Sequence, residues 1–280
     1  MVCASCIEHC SLPMISFGEL RKKSVAWQCE ISDVEKIYAR DWLLYGMFHS
    51  PSLGEHLCLR GASALASAYF LAYPRVEDVD FARVTALDDA ALERAIGDAA
   101  ADAARASNLQ FRLHAFQKST ARIEFTGPLG RRSAAQPLIV VRFVSTPPRR
   151  VEQVALLYPF SDTCDVTVRA ISLDELAAER LVSYSQKPRA RDVYDLWFIL
   201  THGAEKLSIE KMRARAQELA QEKNVALRAA LDSQYAPLLE RAWENALREI
   251  RPHPSFPQAR VEIEALLGSP DRAAWSGETT

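Results

Sequence analysis

Two aspartates in an otherwise apolar strand narrow what this chain can become. The stretch YPRVEDVDF, residues 73–81, reads as a strand, and alternation puts Asp78 and Asp80 on one face while Val79 and Phe81 take the other. Two carboxylates that close repel, and burying them unpaired is costly. Either the strand keeps one face in solvent and its polar side happens to carry two acids, or the pair holds a divalent cation. Mg²⁺ takes oxygen ligands, and two Asp side chains plus triphosphate oxygens are a common way to hold it where phosphoryl groups move. The residues alone leave both readings open.

The flanking pattern places this strand in a mixed layout. Ser32 and Glu35 give a capping-box signature ahead of Val34, Ile37, Tyr38, Trp42, Leu43 and Leu44, which predicts a helix. LCLRGASALASAYFLAYP reads as a short strand, a small-residue turn and a helix ended by Pro74. After the Asp-bearing strand, ALDDAALERAIGDAAADAARAS is an alanine-rich helix. FRLHAF, ARIEF and LIVVRFV are strands, with the turn GPLGRR between the last two. STPPRR is a loop and VTVRA a last strand.

From there the pattern is helical. Ser172 and Glu175 cap LDELAAERLVSYS, ARDVYDLWFILTHG closes at Gly203, two or three helices fill 208–249, and Val261 to Leu267 form a short one. The chain thus reads as α+β: an extension at 1–31, an α/β domain at 32–170, a helical domain at 171–270 and a frayed tail at 271–280.

Composition bounds the function classes. The 280 residues are 49% apolar and 25% charged with a net charge of −2, ordinary for a globular protein. That balance argues against wholesale attraction to nucleic acid. It hides a basic stretch, however: between Ser107 and Arg150 eight Lys/Arg residues meet one acid, Glu124. Arg131, Arg132, Arg149, Arg150, Lys187 and Arg189 are the residues assigned to an RNA-binding rim, with a solvated loop surface as the alternative. No apolar run approaches the ~20 residues that span a bilayer. MVCASCIEHC lacks the basic start and apolar core of a signal peptide, so a cytoplasmic protein with reduced thiols and no membrane partner is expected. Cys3, Cys6, His9 and Cys10 are spaced too tightly for the usual structural zinc pattern and read as a loose extension. Cys29, Cys58 and Cys164 read as small buried hydrophobes.

Two further segments carry chemistry. RGASAL, residues 60–65, is a strand-to-helix turn whose backbone N–H groups suit phosphate, although small residues in tight turns are ubiquitous. Downstream, Arg191, Asp192 and Asp195 cluster on one side of a helix, and Arg180 on the preceding helix is placed to reach Asp195 across a hairpin. An ion pair that only orients two helices and a functional pair are equally compatible with that spacing.

RGASAL at 60–65, EDVDF at 77–81, AERL at 178–181 and RDVYDLWFIL at 191–200 resemble, in order, the motifs of the AbiEii / MenT group. These are polymerase-β-like nucleotidyltransferases that act as type IV toxin–antitoxin toxins. VEKIYARDWLLYGMF is similar to the group's early helix, so the resemblance runs from about residue 33 to 203. It implies a nucleotidyltransferase core with a mixed sheet followed by a C-terminal helical bundle.

As activity, the resemblance implies Mg²⁺-dependent transfer of an NMP from an NTP to an RNA acceptor, the 3′ end of tRNA, with an AbiEi-like antitoxin as partner. Asp78 and Asp80 would be metal ligands. Arg60, Gly61, Ala62 and Ser63 would hold the nucleotide, Arg180 would contact the triphosphate, and Asp195 would position Arg180. The alternative is a catalytically silent nucleotide- or RNA-binding relative of the same fold. The chain departs from the group's pattern in four places: Arg180 and Arg60 stand for lysines, Val76 for Ser or Thr, and Ala62 for a second glycine. Many polymerase-β-like enzymes add a third carboxylate on a neighbouring strand. Here Glu124 is the one acid on the middle strands, and LIVVRFV offers Arg142.

Overall fold

The computed structural model describes residues 14–85, 87–130, 137–227, 231, 234–250 and 252–268. They form two compact units. One holds the residues up to Leu71, Arg75–Pro148 and Gln153–Ala170; the other holds Ala72–Pro74, Arg149–Glu152 and the residues from Ile171 onward. Cys3, Cys6, His9, Cys10, Arg131 and Arg132 lie outside the described residues.

A seven-stranded mixed sheet dominates the first unit. Its strands are β1 (Leu57–Leu59), β2 (Val79–Arg83), β3 (Gln110–Gln117), β4 (Thr120–Thr126), β5 (Leu138–Val144), β6 (Val151–Ala155) and β7 (Thr167–Ile171), in the spatial order β3-β4-β5-β2-β1-β7-β6. β2 runs antiparallel to β1, with Leu59 opposite Phe81, and parallel to β5, with Asp80 opposite Arg142. Phe81 stacks on Phe143 at 5.8 Å, so the apolar face of β2 faces the core while its other face carries the acids.

The strand carrying the acids is shorter than its sequence suggests. It begins at Val79, and Asp78 sits at a bend just before it. The segment ahead of it has no strand partner, and Arg40, buried on α2 (Ile31–His49), donates to the carbonyl of Val76.

Helix α2 corrects a second expectation. Its N-cap is Glu30, in a reciprocal box with Asp33, and not Ser32. Glu35 is drawn inward instead. Its Oε1 accepts from the N–H of Leu129 at 2.6 Å, over a turn where a Cβ on Gly127 would lie 2.7 Å from that same oxygen. A side chain there would push the end of the Glu35 side chain aside. Gly46 is the stricter case, where α2 crosses α5 (Asp89–Ser107): a Cβ would meet the Ala99 carbonyl at 2.1 Å, so the close approach requires a glycine.

The turn after β1 starts α4 (Gly61–Ala64), continues as a π turn over Leu65–Tyr69, and ends short of Pro74. The Leu157 N–H takes the Ser67 carbonyl at 2.8 Å, and Phe70 is already extended. Besides the four-residue helix at 51–54, two elements were not read from the sequence. They are the edge strand β6 and helix α1 (Phe17–Trp27), which is capped by Ser16 and buries Leu20. Short helix α3 (Pro51–Gly54) completes the unit.

The second unit is helical, as expected. It comprises α6 (Leu173–Gln186), α7 (Ala190–His202), α8 (Ile209–Glu222), α9 (Ala236–Ala246) and α10 (Phe256–Leu267). Ser172 caps α6 through the Glu175 N–H, but Glu175 does not close the box. Its carboxylate turns to the N–H groups of Arg149 and Arg150 and to the Arg215 guanidinium at 2.9 Å. α10 begins five residues before the expected start because Ser255 caps it. Among the described residues no helix is long and apolar enough to cross a membrane.

Candidate active site

The carboxylates are placed by a serine. Arg60 extends the β1–β2 ladder by donating its N–H to the Asp80 carbonyl at 3.0 Å. Gly61 then takes a left-handed φ of +56°, which turns the chain away and brings the buried Ser63 back under β2. The Ser63 hydroxyl accepts from the Asp80 N–H at 2.9 Å and donates to the Asp78 carbonyl at 3.2 Å. One side chain thus fixes the backbone of both aspartates. Ser63 is expected among the nucleotide contacts; its hydroxyl also braces the strand through these two bonds.

The two carboxylates answer the question their spacing raised. They share one solvent-open face, with Asp78 29% and Asp80 35% exposed, and basic side chains flank them. Arg142, beside Asp80 on β5, spans both, with Nη2 3.1 Å from Asp78 and Nη1 3.5 Å from Asp80. Lys36 on α2 lies 3.4 Å from Asp78 and 2.8 Å from Glu77. The Val140 N–H adds a contact to Asp78 at 3.3 Å.

As a cation site this set supplies two carboxylates. Among the described residues no group of three or more His, Cys, Asp or Glu side chains is placed to hold a metal. Glu124, the sequence candidate for a third carboxylate, pairs with Arg112 at 2.8 Å and His114 at 2.9 Å. It sits opposite Leu138, four residues along β5 from Arg142. Two carboxylates still fit Mg²⁺, which commonly keeps waters and takes phosphate oxygens for its remaining ligands.

The second unit contains a different cluster. Arg180 Nε lies 3.0 Å from Asp195 and its Nη1 3.6 Å from Asp192, across the α6–α7 hairpin. Arg191 Nε approaches Asp195 at 3.3 Å, and the Tyr73 hydroxyl donates to it at 2.6 Å. Ser183 donates to Asp192 at 2.9 Å. Burial alone would lower the Arg180 pKa, but Asp195 and Asp192 outweigh it and the net shift is upward. Burial raises Asp192, with Arg180 opposing. Burial, then the Asp195 charge, holds the Tyr73 phenol well above its ordinary value.

Lys36 and Tyr73 are not legible as site neighbours, because their proximity depends on tertiary packing; Arg142, noted in the sequence only as the basic residue LIVVRFV offers, is brought beside Asp80 by the strand register. Of the basic residues assigned to RNA, Arg149 is paired with Glu218 at 3.0 Å, and Arg150 lies 3.9 Å from Asp174. Lys187 and Arg189 are exposed at the junction of α6 and α7.

A family model described as nucleotidyl transferase AbiEii toxin, type IV toxin–antitoxin system, matches residues 42–262. Among solved structures, the chain is similar to the nucleotidyltransferase toxin MenT4 of Mycobacterium tuberculosis. The TM-score is 0.65 at 16% identity, with 94% of each chain covered. No curated protein matches the chain. The expected mixed-sheet nucleotidyltransferase fold is the one observed.

Proposed function

The chain belongs to the AbiEii family of nucleotidyltransferase toxins of type IV toxin–antitoxin systems, and on that premise we propose that it transfers an NMP from an NTP to the 3′ end of tRNA in a Mg²⁺-dependent reaction. The acceptor hydroxyl gives its proton to solvent as its oxygen bonds to the α-phosphorus, the bond to the β-phosphate bridge breaks, and pyrophosphate leaves with that electron pair. The observation that carries this reading is the pair Asp78 and Asp80, fixed through Ser63 on one open face of β2.

In this reading Asp78 and Asp80 hold the cation, which supplies charge neutralisation at the polyphosphate. The other groups are this chain's own. Arg60, Gly61, Ala62 and Ser63 approach the nucleotide through the turn after β1. Arg180 contacts the triphosphate, its fork oriented by Asp195 and Asp192. Lys187 and Arg189 are the RNA contacts that remain most available, since Arg149 and Arg150 already face acids. An AbiEi-like antitoxin is the protein partner, and the site of action is the cytoplasm.

The test is incubation with each labelled NTP, Mg²⁺ and total tRNA. Label enters tRNA with the wild type and is lost with Asp80→Asn. Transfer that survives Asp80→Asn unchanged overturns the assignment.

A further inference from the structure

The neighbour of the carboxylate pair is the unexpected part of the site. On the strand beside Asp80, where a third acid would complete a metal-binding set, the chain carries Arg142. Its guanidinium lies within 3.5 Å of both carboxylates, and the side chain is nearly half exposed at 48%. Its contacts are not tight: the one to Asp80 is at the outer limit for a hydrogen bond. Lys36 differs, because Glu77 at 2.8 Å anchors it whatever happens to Asp78.

We propose that Arg142 is a counter-cation that cedes Asp78 and Asp80 to the divalent ion and then binds the triphosphate, so that the two ligands bind cooperatively. This rests on the metal reading given above. The argument is electrostatic. A divalent ion on the two carboxylates takes both of Arg142's partners and repels the guanidinium at close range. The ion alone must therefore displace Arg142 and leave it without an anion. A triphosphate that arrives with the ion supplies one, and the planar fork that spans two carboxylates also fits two phosphate oxygens. The free energy the ion spends on displacement is recovered only when triphosphate is present, which is a coupling between two ligands through one side chain. A carboxylate at this position would instead strengthen binding of the ion by itself.

Two titrations of the full chain test this. One is Mn²⁺ alone, followed by the loss of the free-ion paramagnetic resonance signal. The other is the preformed complex of Mn²⁺ with inorganic triphosphate, followed by calorimetry. Arg142→Gln is expected to tighten Mn²⁺ alone roughly two- to fivefold, the range of one partly exposed ion pair. The same variant is expected to weaken the Mn²⁺–triphosphate complex about tenfold, as loss of a charged hydrogen bond does. Arg142→Lys keeps the stem and the charge but not the fork, and moves both affinities in the same directions by smaller factors.

Opposite shifts of the two affinities support the proposal. Shifts in the same direction, or none, overturn it, as does an equal pair of shifts in Arg112→Gln, which removes one charge elsewhere on the sheet. Asp80→Asn separates the two readings. If it abolishes Mn²⁺ binding while Arg142→Gln changes nothing, only the Arg142 coupling fails. If it leaves Mn²⁺ binding intact, the metal site itself fails.

Discussion

The first unit and the second each contain two aspartates in contact with arginine, but the two sets sit in opposite environments. Asp78 and Asp80 are 29% and 35% exposed and share one mobile-stemmed guanidinium. Asp192 and Asp195 are 8% and 2% exposed, and three polar groups converge on Asp195 alone: Arg180, Arg191 and Tyr73. An exposed ion pair contributes little and exchanges partners cheaply. A buried one contributes little net stability either, yet removing one partner strands the other charge. The open pair can therefore exchange partners at little cost, as the proposed ligand role requires, whereas the closed set holds one guanidinium between two carboxylates.

The largest effect should come from breaking the closed set. Asp195→Ala leaves the largely covered Arg180 with Asp192 as its remaining ion-pair partner and leaves the Tyr73 hydroxyl without its acceptor. A loss of about 3–5 kcal/mol is expected, read as a drop in the urea midpoint. A loss below about 1 kcal/mol, the surface range, would show that the cluster is as exchangeable as the open pair.

Ser63→Ala comes next, because it probes what the open pair does need. The variant leaves the Asp80 N–H without its acceptor inside the turn. It is expected to cost about 1–3 kcal/mol and to lower NMP transfer together with Mn²⁺ affinity. Loss of stability with Mn²⁺ affinity intact would show that the serine braces the fold and not the carboxylates.

These contacts also show what was legible beforehand. Alternation is clearest in β4 and β5, which bury side chains of one parity, while β2, β3 and β7 were legible from their apolar and β-branched or aromatic content. The edge strand β6 buries none of its five residues fully and so carries no such signal. Helix α1 buries only Leu20 and leaves apolar residues such as Phe17 and Val25 exposed, so no apolar stripe marks it. The Ser32–Glu35 signature is a local pattern that a tertiary demand overrode when the turn at Gly127 claimed the Glu35 carboxylate. At the site, Asp78, Asp80 and the Arg180–Asp195 pair were visible because a strand period or a helical spacing joins them. Arg142 stood out only as the basic residue on its strand and Lys36 not at all, because a parallel register between residues 80 and 142 and a helix packed beside residue 78 leave no mark in local sequence.

A third contrast lies in pH. Asp192 has a folded pKa above its ordinary 3.8 because of burial. A carboxyl shifted upward favours the folded state in its protonated form. Its contribution is therefore present below the unfolded value and is lost as pH rises through the folded one. Asp192→Asn should lose less stability than the wild type as pH rises from about 4 through that range. Paired denaturation curves at several pH values measure the difference. Equal slopes would mean that Arg180 and Ser183 fully offset the burial of Asp192.

The smallest effect on stability should belong to the residue with the largest effect on activity. Asp80→Asn removes one charge from an open face, keeps the backbone N–H that Ser63 accepts from, and leaves Arg142 with Asp78. It also relieves the repulsion between neighbouring carboxylates. The expected change is within about 1 kcal/mol of the wild type and of either sign, shrinking further as salt is raised from low ionic strength. NMP transfer should nonetheless disappear. A protein that folds as well without the charge as with it, and works only with it, keeps that aspartate for its ligand; a variant that loses activity and several kcal/mol together would move Asp80 into the same class as Asp195.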